Sequence, residues 1–306
     1  MKDKKLILVT GGAGFIGSHL CTRLAKDGNH VISLDNYFTG SHENHVPGVE
    51  YLEGHTKNID KHINEVPDLI YHLGEYSRVE KSFEDVELVW DLNQMGTFAV
   101  LEFARRHDVK IVYAGSSTKF SDGGLGRNQS PYAWSKASMT ELVKNYGDWF
   151  SLDYAITYFY NVYGPNERAG AYGTVVAIFK EQYRQGLPLG VVAPGTQKRI
   201  FTHVDDIVDG LILIGAKGIG DGYGIGSDDA LSVLALAKLF GREVRMLPER
   251  QGNRMQADID TSKTRALGWA PHRSLAKDVA VFVQGTKNEF MPTKKLIKVI
   301  RKPNIE

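Results

Sequence analysis

The glycine cluster in TGGAGFIGSHL constrains the fold of this chain more than any other feature of its sequence. The cluster follows a short apolar run, LILVT (6–10), and precedes a helical pattern, FIGSHLCTRLAKDG. Its spacing fits the dinucleotide-binding fingerprint either as GxxGxxG or as the overlapping GxGxxG. Glycines permit a tight turn and a close approach of pyrophosphate, which the free amides at the helix start would bind. We therefore assign to a dinucleotide cofactor the residues Gly11, Gly14, Phe15, Ile16 and Gly17.

An acidic residue, Asp35, ends the next apolar run, VISLD (31–35). A carboxylate at this place accepts hydrogen bonds from the adenosine ribose hydroxyls and repels the 2′-phosphate of NADP. No arginine follows it in the segment DNYFTG. We therefore assign Asp35 and Asn36 to the cofactor site and predict NAD rather than NADP.

Short β-rich runs alternate with helical patterns through the first half of the chain. The runs span 6–10, 31–35, 49–54, 69–74, 109–115 and 154–160, and a long helical pattern, VWDLNQMGTFAVLEFARRH, covers 89–107. This alternation implies parallel strands joined by right-handed crossovers. The predicted fold class is α/β, with a Rossmann-type doubly wound parallel sheet.

The pattern changes after residue 163 to short elements separated by glycine- and proline-rich loops. We predict a cofactor-binding domain over 1–163 and a smaller mixed α/β lobe over 164–306 that binds the substrate. The run FTHVDDIVDGLILIG, near 201–216, predicts a helix that returns to the main sheet. The two domains are therefore expected to be interleaved.

Composition narrows the class of partner. The formal net charge is +1, from 37 basic and 36 acidic side chains, so neither nucleic acid nor an anionic membrane is expected as a partner. The single cysteine, Cys21, excludes a disulfide framework and a cysteine-built zinc site, and no metal is expected. No apolar run approaches the roughly 18–20 residues that span a bilayer, and the first residues lack a signal-peptide pattern. We predict a cytoplasmic enzyme.

A second motif, SPYAWSK, predicts the catalytic groups. Ser130 is suited to cap a helix whose first residue is Pro131. Tyr132 and Lys136 are four residues apart, so they share one face of that helix. A nearby ammonium favours the phenolate, which allows a tyrosine to act as a base near neutral pH. The serines of AGSSTKF (114–120) lie just upstream.

With these motifs in place, the chain resembles the extended short-chain dehydrogenase/reductases, and among them the NAD-dependent nucleotide-sugar epimerase/dehydratase family. The resemblance covers most of the chain. Its motifs occur in family order as TGGAGFIGSH, LDN, YHLG, the Asn93–Gly96–Thr97 stretch, SPYAWSK, YFYNVYGP, GTQKRIFTHVDD and DTSKTRALGW. The combination is specific for the family but not for one member.

The resemblance implies roles for individual residues. Tyr132 would take a proton from a sugar hydroxyl, Lys136 would hold the cofactor ribose, and Ser116 would hydrogen-bond the reacting oxygen. Leu73 and Gly74 would lie at the cofactor. A further set of residues would bind a nucleotide-diphosphate sugar, namely Ser117, Thr118, Asn161, Arg199 and Arg250.

Some positions depart from the family pattern. The usual pair of small residues after His-Leu is replaced by Gly74 and Glu75. Glu75 and Arg78 are therefore candidates for unusual contacts, although they would equally suit a solvent-facing loop. His55 stands where an acidic residue often reaches the adenine, and the role of Lys119 stays open.

The reaction is predicted from the two residues directly after Ser116. Typical 4,6-dehydratases have an Asp-Glu pair there, whereas this chain has Ser117 and Thr118. A 4-epimerase needs no further base, because the ketone turns in the pocket and takes the hydride back on its other face. We therefore favour a 4-epimerase. A 4,6-dehydratase or 4-dehydrogenase with an unusual acid or base, and a catalytically silent NAD-binding protein, stay open.

The resemblance also implies a homodimer. The two chains would pair through the helices around 90–106 and 131–148. The nucleotide and the sugar are not encoded in any motif of the sequence.

Overall fold

The computed structural model describes residues 4–117, 126–170, 172–228, 230–249 and 260–290. Its strands are β1 (Leu6–Thr10), β2 (His30–Asp35), β3 (Val49–Glu53), β4 (Leu69–His72), β5 (Ile111–Ser116), β6 (Tyr154–Phe159), β7 (Val162–Tyr163), β8 (Leu189–Val192), β9 (Lys198–Ile200), β10 (Thr202–His203), β11 (Gly220–Ile225), β12 (Ala230–Ser232) and β13 (Val244–Leu247).

The helices are α1 (Phe15–Lys26), α2 (Ile59–His62), α3 (Val86–Val89), α4 (Gly96–His107), α5 (Pro131–Phe150), α6 (Val175–Arg184), α7 (Val204–Lys217), α8 (Val233–Leu239), α9 (Ser262–Ala266) and α10 (Leu275–Phe290). Over the described residues, no helix is both long and apolar enough to cross a membrane.

Seven parallel strands form the central sheet in the order β11-β6-β5-β4-β1-β2-β3. The chain leaves β1 toward β2 on one side and returns to β4 on the other, so the strand order reverses at β1. In open α/β sheets, ligands bind outside the carboxyl ends of the strands at such a reversal. The predicted Rossmann-type fold class is confirmed, and its topology places a binding crevice at the ends of β1 and β4.

Helices cover both faces of this sheet. On one face α4 and α5 bury a core that includes Leu8, Ile70 and Val143. On the other face α1 and α7 pack over Val9 and Val112. Because both faces are covered, inner strands such as β1 and β4 are buried along nearly their whole length, whereas the edge strand β3 is partly exposed. Helix α7, which follows the first elements of the C-terminal half, thus packs on the main sheet.

A separate apolar cluster organises the smaller C-terminal elements. Its aromatic members include Phe179, Tyr183 and Phe240, contributed by α6 and the end of α8. The pairs β8–β13 and β9–β12 flank this cluster. The lobe therefore has its own core beside the sheet, and the space between the two forms a cleft.

The long helix predicted over 89–107 is interrupted. After α3 the chain makes a π-helical segment, Trp90–Met95, before α4 begins. The wider turn directs Asn93 into the interior, where its Oδ1 accepts a hydrogen bond from the Tyr76 amide at 2.7 Å. Its Nδ2 donates to the Tyr76 carbonyl and to Ser135 Oγ, at 3.3 and 2.9 Å. Asn93 thereby ties the loop after β4 to α5, and π-helical turns are often found at functional sites.

Candidate active site

A cleft of about 1230 Å³ runs along the carboxyl ends of the strands and continues against the C-terminal lobe. It brings together nearly all of the site residues that the sequence predicts. Its lining includes Gly11, Gly14, Phe15, Ile16, Gly17, Asp35, Asn36, Leu73, Gly74, Ser116, Ser117, Tyr132, Lys136, Asn161 and Arg199. Thr118, Lys119 and Arg250 lie outside the described residues.

The glycine turn at the start of the cleft leaves no room for side chains. Gly11 has φ +72°, and a Cβ there would come within 2.7 Å of the Gly74 Cα. A Cβ on Gly17 would lie 2.0 Å from the Gly11 carbonyl oxygen. Gly14 precedes α1 without a capping side chain, so the first helical amides are left for a ligand. The turn therefore fits a pyrophosphate at the α1 N-terminus.

Asp35 lies at the end of β2, beside this turn. Its carboxylate accepts hydrogen bonds from the Ala13 amide at 3.0 Å and from the Tyr37 amide at 2.8 Å, one on each oxygen. Burial raises the pKa of Asp35, and the two amide hydrogen bonds oppose that rise. Each oxygen keeps a further lone pair. This arrangement fits a pair of ribose hydroxyls, as expected for NAD.

The start of α5 carries the candidate catalytic groups. Ser130 Oγ accepts a hydrogen bond from the Ala133 amide at 3.0 Å, and Pro131 is the first helical residue, as predicted. The Tyr132 hydroxyl lies 3.2 Å from Ser116 Oγ, at the end of β5. One substrate oxygen could therefore contact both hydroxyls.

Lys136 and Glu75 form a buried ion pair beside these hydroxyls. Their side chains are 5% and 4% exposed, and Lys136 Nζ donates to Glu75 Oε2. The ammonium also donates to the Ala114 carbonyl and lies 4.3 Å from the centre of the Tyr113 ring. Burial lowers the pKa of Lys136, and the charge of Glu75 opposes this. Glu75 is therefore not solvent-facing, which was one of its two sequence interpretations.

The other oxygen of Glu75 ends an internal hydrogen-bond chain. Glu75 Oε1 accepts from Thr97 Oγ1 at 2.9 Å and from the Tyr113 hydroxyl at 3.1 Å. Because Thr97 gives its only proton to the carboxylate, it must accept from His72 Nε2, 3.0 Å away. His72 Nδ1 then accepts from Thr10 Oγ1 at 2.7 Å.

Burial keeps this imidazole neutral, because it lowers the pKa of His72 to about 4. Neither His72 nor Thr97 was predicted from the sequence as a functional residue. His72 belongs to the motif YHLG and Thr97 to the Asn93–Gly96–Thr97 stretch, but the resemblance assigned no role to either side chain.

Arg78 presents a positive charge to the cleft. Its Nε donates to the Tyr172 carbonyl at 2.5 Å, and its Nη1 donates to the Ser77 carbonyl at 3.0 Å. Within the described ranges, no carboxylate lies within 4 Å of this guanidinium. Asn161 uses its side-chain Nδ2 to hold the Ile200 carbonyl at 3.1 Å, beside Arg199 on β9. Arg78, after β4, and Arg199, on β9, both line the cleft, which is therefore suited to an anionic ligand.

Both ring nitrogens of His55 are engaged in hydrogen bonds within the protein. Its Nε2 lies 2.9 Å from Asp91 Oδ2, and its Nδ1 accepts from the Lys57 amide at 3.0 Å. The neighbouring residues Gly54 and Thr56 line the cleft instead.

Comparison with known proteins identifies the family of this chain. Residues 7–226 match the family described as the NAD dependent epimerase/dehydratase family. The chain is 30% identical over 308 residues to the UDP-glucose 4-epimerase of Mycolicibacterium smegmatis, covering 92% of this chain and 98% of the relative.

Two solved structures show the same fold with different activities. The UDP-glucose 4-epimerase of Thermus thermophilus in complex with NAD superposes with a TM-score of 0.82 at 27% identity, over 92% of this chain and 99% of that one. DesIV, the dTDP-glucose 4,6-dehydratase of Streptomyces venezuelae, superposes with a TM-score of 0.83 at 27% identity, over 92% and 97%. The predicted cofactor, NAD, is confirmed by these matches, whereas the similarity to these two structures does not distinguish an epimerase from a dehydratase.

Proposed function

Because this chain belongs to the NAD-dependent epimerase/dehydratase family, we propose that it is a nucleotide-sugar 4-epimerase with Tyr132 as its base. The observation that carries the proposal is the pair of hydroxyls on Tyr132 and Ser116, 3.2 Å apart beside Lys136. Ser117, rather than a carboxylate, follows Ser116 at the end of β5.

In this proposal each residue has one task. The Tyr132 phenolate accepts the proton of the sugar 4-hydroxyl, and Ser116 donates a hydrogen bond to the same oxygen as it becomes a carbonyl. The Lys136 ammonium stabilises the phenolate by its charge. Bound NAD, held by the glycine turn and Asp35, would supply the acceptor for the C4 hydride and the donor for its return. Return to the opposite face requires that the keto sugar turn within the cleft, after which Tyr132 gives the proton back.

A 4,6-dehydratase would also need groups that remove the C5 proton and protonate the leaving C6 hydroxyl. Ser117 is buried and is not a useful base for that step. Glu75 is the nearest unusual carboxylate, but Lys136, Thr97 and Tyr113 occupy both of its oxygens. These observations favour epimerisation over dehydration, and the fate of the hydride distinguishes epimerisation from net oxidation.

The substrate's diphosphate is assigned to the lobe side of the cleft. We propose that Arg199 and Asn161 contact it, because guanidinium donors pair well with phosphate oxygens. Arg250 and Thr118, outside the described residues, are proposed for the same substrate on the family resemblance alone. A neutral or anionic sugar would then extend toward Tyr132.

A panel of nucleotide sugars tests the proposal. The purified protein is incubated with UDP-, GDP- and dTDP-linked hexoses and their uronates, and the products are weighed and separated. An isobaric epimer is expected. Loss of one water would indicate a dehydratase, and stoichiometric NADH would indicate net oxidation, and either result contradicts the proposal.

The role of Tyr132 is tested with the Tyr132→Phe variant, which lacks only the hydroxyl oxygen. We expect it to retain bound NAD and to lose turnover by a factor of at least about 100, within the range for general acid–base groups. Turnover equal to that of the parent would overturn the role of Tyr132. Retained NAD in an inactive variant would exclude misfolding as the cause.

A further inference from the structure

We propose that Glu75 is a positioning residue that fixes Lys136 in its charged form and in reach of Tyr132. The inference rests on the proposed roles of those two residues, but its evidence is separate. A glutamate follows Gly74 where the family pattern has a small side chain. Its carboxylate forms a buried ion pair with the Lys136 ammonium.

The surroundings of Lys136 explain why a counter-ion is needed. Its ammonium contacts the Tyr113 ring and the Ala114 carbonyl on β5, and Tyr132 lies one turn earlier on the same helix as Lys136. His72, on β4, is neutral. Glu75 supplies the negative charge that directly contacts the Lys136 ammonium. A buried amine without such a partner tends to lose its proton. A neutral amine would not stabilise the Tyr132 phenolate by its charge.

The Glu75 carboxylate is itself held in place by hydrogen bonds. Thr97 and Tyr113 both donate to its Oε1, and Thr97 is oriented by the His72–Thr10 chain. These donors fix the orientation of the carboxylate. With both oxygens engaged, Glu75 acts on the reaction through Lys136 and not as a base toward the sugar.

The first test reads the charge of Lys136 without any substrate. The holoenzyme is labelled with [¹³Cε]lysine, the Lys136 signal is assigned with a Lys136→Arg variant, and its shift is followed from pH 6 to pH 10. We expect the ammonium signal of the parent to persist at a pH where Glu75→Gln shows the neutral amine. Identical titration of Lys136 in both proteins would overturn the proposal, whatever the panel of nucleotide sugars shows.

The second test reads the same effect in turnover. Glu75→Gln should lower kcat by about tenfold or more at pH 8, and the deficit should shrink toward pH 6 as Lys136 regains its proton. A loss of kcat by the same factor at every pH would indicate a merely structural role and contradict the proposal. The matched control is Glu141→Gln, which removes a surface partner of Lys144 on the same helix and should leave the pH profile unchanged.

A double-variant cycle completes the test. If Glu75 acts through Lys136, then adding Glu75→Gln to Lys136→Met should change kcat by less than about twofold, because the ammonium is already absent. The double variant also removes both buried charges, so it should fold better than Lys136→Met alone. A full multiplicative loss in the double variant would show that Glu75 acts independently and would overturn the proposal.

Discussion

The buried imidazole of His72 makes the protein sensitive to mild acid. In the folded chain its pKa lies at about 4, whereas an unfolded histidine titrates near 6.5. The unfolded state therefore takes up a proton first as the pH falls. Stability from this residue is complete above about pH 6.5, decreases between 6.5 and 4, and is constant below, for a total loss on the order of 3 kcal/mol.

Urea unfolding at pH 7.0, 5.5 and 4.5 measures this loss. The parent is compared at each pH with His72→Gln, which cannot take up a proton and keeps an amide donor. We expect the stability gap between parent and variant to narrow as the pH falls. A gap that is the same at all three values would show that His72 does not contribute to the acid sensitivity.

Single residues were predictable where a local motif carries them. Tyr132 and Lys136 are four residues apart on one helix, and the glycines of the first turn recur at a fixed spacing. Both groups were therefore predictable from sequence spacing alone. The sequence marks Glu75 as unusual, but its partner lies 61 residues further along the chain. Asn93 and Thr97 act through contacts of the same long-range kind. Such roles depend on tertiary packing and not on the local pattern.

One loop of the lobe, residues 164–170 and 172–174, crosses the cleft and contacts the Rossmann side; we call it the strap. Pro165 contributes a carbonyl oxygen 3.0 Å from His19 Nε2, and Asn166 Nδ2 donates to Ser18 Oγ at 3.1 Å. Arg168 Nη1 donates to the Thr39 carbonyl at 2.9 Å. The strap thus links α1 and the loop after β2 to the lobe, across the face where the cofactor is expected.

Loosening the strap should speed the release of NAD. Arg168→Ala removes its contact with Thr39, and we expect NAD to dissociate severalfold faster, consistent with about 1 kcal/mol for one hydrogen bond. The rate is measured by exchange of bound NAD against isotope-labelled NAD. Arg184→Ala, which removes a surface pair on α6, is the control and should not change the rate. Unchanged release from Arg168→Ala would show that the strap does not retain the cofactor.

Regular elements were predictable to the extent that their patterns are local. The six predicted runs correspond to strands of the sheet within one or two residues at most ends. The π-helical turn at Trp90–Met95 was not predicted, because the contact that accompanies it, from Asn93 to Tyr76 in the loop after β4, is not part of the local pattern. The strand pair β9–β12 was missed for a similar reason, since about thirty residues separate its partners in the chain. The strap has no hydrophobic periodicity from which it could have been predicted.

On the scale of the whole molecule, the outer face of α4 and α5 is unusually apolar. Trp90, Met95, Phe98 and Trp134 are each between 42% and 52% exposed, although they are large hydrophobic side chains. The rings of Trp90 and Trp134 stack at 5.7 Å with an interplanar angle of 11°, which joins the two helices into one surface. Apolar patches of this kind on a folded chain mark interaction sites.

We predict that a second copy of the chain covers this surface, as the family resemblance implies. The same two helices from each copy would then pack together as an isologous four-helix interface. Light scattering should give twice the chain mass of 34.0 kDa. Trp90→Glu combined with Phe98→Glu should shift the mass toward the monomer, because each substitution places a charge at the centre of the apolar contact.

The control for this prediction is Ile219→Glu, which places the same charge on another exposed apolar residue, 71% exposed and away from these helices. It should leave the dimer intact, and circular dichroism should confirm that all variants keep their helices. The surface lies behind the helix that carries Tyr132 and Lys136, so dissociation should also lower turnover at low protein concentration. A parent protein that is monomeric at micromolar concentration, with full activity, would contradict the predicted dimer.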